Sequence, residues 1–123
     1  MSVQDKYRSL AHEFAEKVLE KYGERIDTII LFGSTARGEA REESDIDILV
    51  VGEINSKDLV DISYPMLLEY GEYISPKDMK KAYFNKLNSE KYSFIQNILS
   101  EGQVLYERVA KASGESPKRV NEN

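Results

Sequence analysis

Residues 26–50 read IDTIILFGSTARGEAREESDIDILV and contain two apolar segments separated by a polar one. The first segment, Ile26 to Phe32, is rich in β-branched residues and nearly all apolar towards its end, which is typical of a buried strand that stops at Gly33. The second, Asp45 to Val51, alternates acidic with apolar side chains at its start, and Gly52 closes it. The stretch therefore predicts two strands joined by a charged segment.

The rest of the chain alternates helical and extended patterns around these strands. Apolar residues at helical spacing predict a first helix over residues 5–22. The further elements expected are a helix from about Lys57 to Tyr70, capped by Ser56 and kinked or restarted near Pro65, a strand over Glu72 to Ser75 that ends before Pro76, a helical stretch with Met79, Ala82, Tyr83 and Leu87 on one side, a helix over Glu90 to Ser100, and a strand over Gln103 to Tyr106. This order predicts an α+β (α/β-like) fold, a small mixed β-sheet flanked by helices and covered mainly on one side.

Length and composition are those of one soluble globular domain. The chain has 123 residues, of which 41% are hydrophobic and 32% charged. This is enough for one core and too little for two ordinary ones. Residues 110–123 contain few apolar side chains, so we expect a domain over residues 1–109 followed by a flexible C-terminal tail.

The composition also excludes several classes of protein. The chain has no cysteine and one histidine, so metal chemistry must depend on oxygen ligands. Its net charge of −5 argues against general binding of duplex nucleic acid, which rests on neutralising phosphates. No apolar run approaches the roughly 18 residues that span a bilayer, and the start MSVQDKYRSL lacks the apolar segment of a signal peptide. We expect a cytoplasmic protein that does not bind membranes.

The polar segment after the first strand has the features of a phosphate site. A strand that runs into Gly33 and Ser34, followed by a short helical turn, presents backbone amides and a hydroxyl at the end of a sheet. Glycine allows a close approach of the backbone to an anion. Arg37 lies one turn further on and can add positive charge, although it can also pair with a neighbouring glutamate on the surface.

Two carboxylates open the second strand. Asp45 and Asp47 are two residues apart, so their side chains leave the same face with Cα atoms roughly 6.5 Å apart. Like charges this close repel unless a cation offsets them, which makes a merely solvated edge strand the weaker interpretation. Paired carboxylates favour Mg²⁺ or Mn²⁺, whose shells substrate phosphates complete. Two such ions, about 4 Å apart, would activate an attacking hydroxyl and stabilise a leaving pyrophosphate.

The pattern G-S-x-A-R-G-x(5)-S-D-I-D-x-x-V resembles the signature of the DNA polymerase β-like nucleotidyltransferase superfamily. The resemblance is closest to its minimal, MNT-type members from bacteria and archaea. It implies a polymerase β-like nucleotidyltransferase fold in which Gly33 and Ser34 bind phosphates. It also implies that Asp45 and Asp47 bind metal and carry catalysis, and Ser44 within the motif is a further candidate for nucleotide binding.

The resemblance further implies a third carboxylate on a later strand, which helps to bind metal and can act as a base. Glu72 opens the expected third strand and is the candidate, with Glu69 next. Glu72 and Ile74 would share a strand face, so a Glu72 that faced the metal would turn apolar Ile74 towards the site unless the strand began late or bent.

The function implied is transfer of a nucleoside monophosphate, AMP from ATP, to a hydroxyl of an acceptor with release of pyrophosphate. Small family members pair with a helical HEPN-type toxin in toxin–antitoxin couples, so the resemblance implies a protein acceptor and the role of the antitoxin half. A homo-oligomer is the alternative assembly. Two other functions stay open: a non-catalytic antitoxin or regulator that acts by contact alone, and a subunit that modifies a small molecule or a nucleic-acid end.

Overall fold

The computed structural model describes residues 2–109, and the expected tail at 110–123 lies outside this range. Its elements are a 3₁₀ turn at Gly23–Arg25, the helices α1 (Val3–Tyr22), α2 (Gly33–Ala36), α3 (Ser56–Tyr70), α4 (Lys81–Ser89) and α5 (Ser93–Glu101), and the strands β1 (Ile26–Phe32), β2 (Ile46–Gly52), β3 (Ile74–Met79) and β4 (Gln103–Glu107). None of the helices within residues 2–109 is long and apolar enough to cross a membrane.

The four strands form one mixed sheet in the order β3-β2-β1-β4. Strand β1 is antiparallel to both β2 and β4, whereas β2 and β3 are parallel. Phe32 at the end of β1 lies opposite Asp47 of β2, and Asp47 in turn lies opposite Ser75 of β3. The predicted α+β fold with a small mixed sheet is confirmed, and this register decides which side chains surround Asp47.

The sheet separates a large core from a small one. On one face, α1 and α3 pack on residues such as Ile48 to form the larger cluster. On the other face, Leu49 and Ile98 belong to a cluster of four buried residues beneath α5. Because side chains alternate along a strand, Asp47 lies on the same face as Leu49. The carboxylate therefore stands at the end of the smaller core, beside α5.

Helix α3 begins one residue earlier than predicted and is continuous. Asn55, rather than Ser56, is its N-cap: the Asn55 side chain accepts from the Asp58 N–H at 2.9 Å, and the Asp58 carboxylate accepts from the Asn55 N–H. The helix continues through Pro65, so the expected fresh start does not occur. It ends at Gly71, which adopts the left-handed conformation.

The prediction for the third strand is wrong in its position. Strand β3 begins at Ile74 instead of Glu72 and runs through Pro76 to Met79, in a segment predicted to be helical after the proline. A proline is tolerated here because β3 is an edge strand, where one N–H faces away from the sheet and needs no partner. Helix α5 likewise begins at Ser93 instead of Glu90.

Candidate active site

The site lies where β1 ends and β2 begins. Gly33 turns the chain out of β1 with a φ of +75°, a conformation that side chains disfavour. A Cβ on Gly33 would overlap the carboxylate oxygen Oδ2 of Asp47. Glycine is thus needed here both for its backbone conformation and for the space above it. The carboxylate of Asp47 lies directly against the backbone of the turn.

The turn itself offers unoccupied donors. Helix α2 has no side-chain cap, and the first N–H groups of a helix have no acceptor within it. The hydroxyl of Ser34 makes no hydrogen bond to any residue between 2 and 109, while its carbonyl accepts from the Glu39 N–H at 2.8 Å. The Arg37 N–H donates to the Gly33 carbonyl at 3.2 Å. Backbone bonds therefore hold the turn while its outward donors stay available to an anion.

Charges around Asp47 show that the two carboxylates form a pair. Burial raises the pKa of Asp47, and the neighbouring charge of Asp45 raises it further, while Lys77 and Arg37 act in the opposite direction. Asp45 is exposed and Asp47 partly buried. An ionised pair of this kind is unfavourable without a cation, because burial removes solvent screening from two like charges.

The residues present fit a divalent metal ion held jointly with a substrate. Mg²⁺ is commonly bound by one or two carboxylates together with substrate phosphates. Asp45 and Asp47 supply such a donor set beside a turn suited to phosphate. No group of three or more acidic, histidine or cysteine side chains that could hold a metal occurs within residues 2–109. The remaining ligands would have to come from the nucleotide and from water.

The structure does not bring Glu72 to this pair, contrary to its predicted role as third carboxylate. Glu72 accepts hydrogen bonds from Lys6 Nζ and from the Tyr7 hydroxyl, both at 2.9 Å. The Lys6 bond, with that of Tyr7, holds the pKa of Glu72 below its usual value in spite of partial burial. Glu69, the next candidate, lines a groove between α1 and α3 instead.

Strand β3 presents a hydroxyl and an ammonium group where a carboxylate was expected. Ser75 is the register neighbour of Asp47, and Lys77 follows two residues later on the same face. Lys77 lies close enough to lower the pKa of Asp47. The late start of β3 is the reason that Glu72 falls outside the strand and away from the pair.

Arg37 and Ser44 make local contacts. The guanidinium of Arg37 pairs with Glu39 at 3.1 Å, as the sequence allowed, and with Glu101 of α5 at 3.9 Å, which the sequence did not indicate. Both pairs are exposed and worth at most about 1 kcal/mol, so a phosphate can replace either of them. The Ser44 hydroxyl accepts from the Arg41 N–H at 3.0 Å and thereby shapes the loop that leads to Asp45.

Sequence reasoning missed two residues of α1 that hold the site together. The Gln4 side chain donates to the Thr35 carbonyl at 2.7 Å and accepts from the Ala40 N–H at 3.0 Å. The Tyr7 hydroxyl accepts from the Glu43 N–H at 3.1 Å. Tyr7 had been assigned only to the apolar face of its helix. These contacts join residues 31 or 36 positions apart, so no local pattern could reveal them.

Comparisons with known proteins identify the family. The model of the family described as "Polymerase beta, Nucleotidyltransferase" matches residues 13–111. "Putative protein adenylyltransferase MJ0604" of Methanocaldococcus jannaschii is 46% identical over 94 residues, which cover 76% of this chain and 92% of that protein.

Solved structures show the same fold. A chain from a toxin–antitoxin crystal structure with AMP-PNP superposes with a TM-score of 0.56 at 20% identity and covers 78% of this chain and 73% of its own. A Sulfolobus solfataricus protein, described as a "putative nucleotidyltransferase", gives 0.54 at 21% identity with coverage of 85% and 84%. With the family model spanning most of its length, the chain belongs to the polymerase beta nucleotidyltransferase family, as the motif around Gly33 and Asp47 predicts.

Proposed function

We propose that the protein transfers AMP from ATP to a hydroxyl group of a partner protein, with Mg²⁺ or Mn²⁺ held by Asp45 and Asp47. The observation that carries the proposal is the contact between the Asp47 carboxylate and the backbone of the Gly33 turn. It joins a pair of metal-binding carboxylates to a set of phosphate-binding donors in one site. The relative named as an adenylyltransferase supports AMP as the group transferred.

Each residue has a distinct part in the proposed reaction. The Gly33 and Ser34 turn binds the β and γ phosphates, and Arg37 exchanges a surface glutamate for one of their oxygens. Asp45 and Asp47 orient the α-phosphate beside the turn. A bound divalent ion supplies a Lewis acid that polarises phosphate oxygens and favours loss of the acceptor's proton. The acceptor oxygen bonds to the α-phosphorus, the bond to the β-phosphate oxygen breaks, and pyrophosphate leaves.

A protein acceptor is favoured by the surface of α3. Val60, Tyr64 and Leu68 follow each other at intervals of four residues, so they lie on one side of the helix, and each is at least 45% exposed. An exposed apolar stripe of this kind is suited to contact with another protein. One structural neighbour is a toxin–antitoxin structure. A HEPN-type toxin is therefore the partner proposed, and self-association of this stripe is the alternative.

The test is transfer of labelled AMP from ATP to a HEPN-type partner protein in the presence of Mg²⁺. We expect Asp47→Asn to reduce the rate at least about 100-fold, because removing one charged group that stabilises a transition state commonly costs this much. The matched control is Asp78→Asn, since Asp78 is an exposed carboxylate on β3 that lies opposite Val50 and away from the pair. Equal rates for both variants would contradict the assigned role of Asp47.

A contact-only antitoxin is the second candidate. It is favoured by the absence of a three-carboxylate cluster within residues 2–109 and by Ser75 and Lys77 on the site face of β3. Its signature would be a wild-type protein that transfers no AMP yet neutralises the toxin. In that case Asp47→Asn would neutralise the toxin equally well.

A further inference from the structure

A shallow cleft of about 100 Å³ lies between the phosphate turn and helix α5. Gly33 and Arg37 form its side nearest the turn. Helix α5 contributes Phe94, Asn97 and Glu101, whose spacing of three and four residues places them on one side of the helix. The cleft thus continues the candidate active site beyond the phosphate donors, on the face of the sheet that carries Asp47.

The wall of this cleft contains a half-exposed aromatic ring. Phe94 is 46% exposed and meets Phe32 edge to face, with ring centroids 6.0 Å apart and an angle of 86°. Phe32 is the register neighbour of Asp47. Side chains that are direct cross-strand neighbours on one face lie about 5 Å apart at Cβ. The ring of Phe94 therefore rests on the residue next to the proposed metal-binding carboxylate.

The polar groups of the cleft suit an uncharged ligand with a hydrogen-bonding edge. Arg37 and Glu101 form an ion pair of 3.9 Å across the cleft, so their charges offset each other there. Asn97 adds a neutral amide, which presents one donor side and one acceptor side. An aromatic face, a neutral amide and a balanced charge pair match a nucleobase better than another phosphate.

We propose that Phe94 and Asn97 form the base subsite of this enzyme and select adenine nucleotides. The inference rests on the proposed function, since it needs the triphosphate on the Gly33 turn. The base stacks on the Phe94 ring, and the Asn97 amide pairs with the N6 and N7 edge of adenine, which offers a donor beside an acceptor. The corresponding edge of guanine offers two acceptors and leaves the amide oxygen of Asn97 facing a carbonyl.

The experiment separates base binding from phosphate binding. Affinities for inorganic tripolyphosphate, AMP-PNP and GMP-PNP are measured by calorimetry with Mg²⁺ for the full chain and its variants. We expect Phe94→Ala to weaken AMP-PNP at least about tenfold, because loss of a base-stacking ring commonly costs this much. Tripolyphosphate, which has no base, should bind equally well to both proteins. Asn97→Ala should bring the ratio of AMP-PNP to GMP-PNP affinity close to one.

Two further variants guard against a trivial result. Leu99 lies on the same helix, is 45% exposed and does not line the cleft, so Leu99→Ala should bind all three ligands like the wild type. Phe94→Tyr keeps an aromatic ring and should retain AMP-PNP affinity, whereas Phe94→Leu fills similar space without one and should lose it. Comparison of these two variants still tests the ring if Phe94→Ala does not fold.

The possible failures are distinguishable. Unchanged AMP-PNP affinity in both Phe94→Ala and Phe94→Leu, with normal tripolyphosphate binding, would overturn the base subsite and leave the proposed function intact. Equal wild-type affinities for AMP-PNP and GMP-PNP would overturn the selection of adenine. If the wild type binds neither tripolyphosphate nor AMP-PNP, the proposed function itself fails and the base subsite fails with it.

Discussion

At the scale of single residues, one missing Cβ organises the site. Gly33 and Gly38 both adopt left-handed backbone conformations, with φ of +75° and +76°. Only Gly33 also has a carboxylate where a Cβ would stand, while the position above Gly38 is open. The two glycines of one motif are therefore required to different degrees. Gly33 combines a backbone requirement with a steric one, and Gly38 has the backbone requirement alone.

This difference predicts unequal effects of alanine at the two glycines. Gly38→Ala should lower the free energy of unfolding by about 1 kcal/mol, the usual cost of a left-handed conformation for a residue with a side chain. Gly33→Ala should cost at least this much and also displace Asp47, with loss of tripolyphosphate binding in the presence of Mg²⁺. Denaturant unfolding and calorimetry measure the two quantities. A Gly33→Ala protein that binds tripolyphosphate normally would show that Asp47 need not contact the turn.

At the scale of elements, the late start of β3 decides the chemistry of the site. Had the strand begun at Glu72, its register with β2 would have placed different side chains beside Asp47. The structure instead places Ser75 there, with Lys77 following on the same face. An ammonium group and a hydroxyl thus occupy the side of the carboxylate pair that faces away from the phosphate turn.

The register predicts that Ser75→Asp creates a three-carboxylate site. Without metal, the added charge should lower the free energy of unfolding by about 1 kcal/mol, because three carboxylates then repel one another. The affinity for Mn²⁺ alone should rise on the order of tenfold, since affinity follows the number of charged ligands. Electron paramagnetic resonance of Mn²⁺ measures the affinity. The control is Asp at Lys77's neighbour Asp78, already acidic in the wild type but opposite Val50, so Asp78→Ser should leave the affinity unchanged.

An unchanged Mn²⁺ affinity in Ser75→Asp would contradict the register-based placement of Ser75. A rise in affinity without nucleotide would show that the wild-type site is limited by its two protein carboxylates. The readout does not depend on catalysis.

At the scale of the whole molecule, helix α1 ties the ends of the site together. Lys6 and Glu72 are 66 positions apart in the chain, and Tyr7 links Glu72 to the loop that precedes Asp45. Glu72 therefore acts on the site through Tyr7 and not as a metal ligand. It is a positioning residue whose contribution depends on its charge.

The charge of Glu72 predicts a pH-dependent stability. Its hydrogen bonds, first from Lys6 and then from Tyr7, lower its pKa in the native state, so the ionised form stabilises the fold. This contribution is present above the pKa of an unfolded glutamate and is lost as the pH falls through the lowered native pKa. Glu72→Gln should therefore reduce the free energy of unfolding by about 1 kcal/mol near neutral pH. Denaturant unfolding of both proteins across the acid range measures the difference.

The difference between wild type and Glu72→Gln should shrink towards zero in acid. Glu69→Gln is the control, because Glu69 lies in the groove between α1 and α3 and has no bond to Tyr7. A difference that stays constant down to strongly acidic pH would mean that the Lys6 and Tyr7 bonds do not depend on the charge of Glu72.

The sequence alone determined the parts of the molecule whose causes are local. Strand β1 was predicted at its observed bounds, and β2 within one residue, because runs of apolar β-branched residues between glycines favour strands in any context. The Gly33 turn and the Asp45 and Asp47 pair were recognisable for the same reason. Their function depends on residues that are adjacent or two apart on elements of regular geometry.

Only the tertiary structure decided which distant residues reach that motif. Sequence spacing put Glu72 on a strand beside the metal pair, but Lys6 and Tyr7 hold it on the other side of the sheet. The place of Ser75 beside Asp47 and of Phe94 on Phe32 follows from strand order, register and the packing of α5. These contacts depend on which surfaces become buried together, and this is a property of the whole chain that no local periodicity encodes.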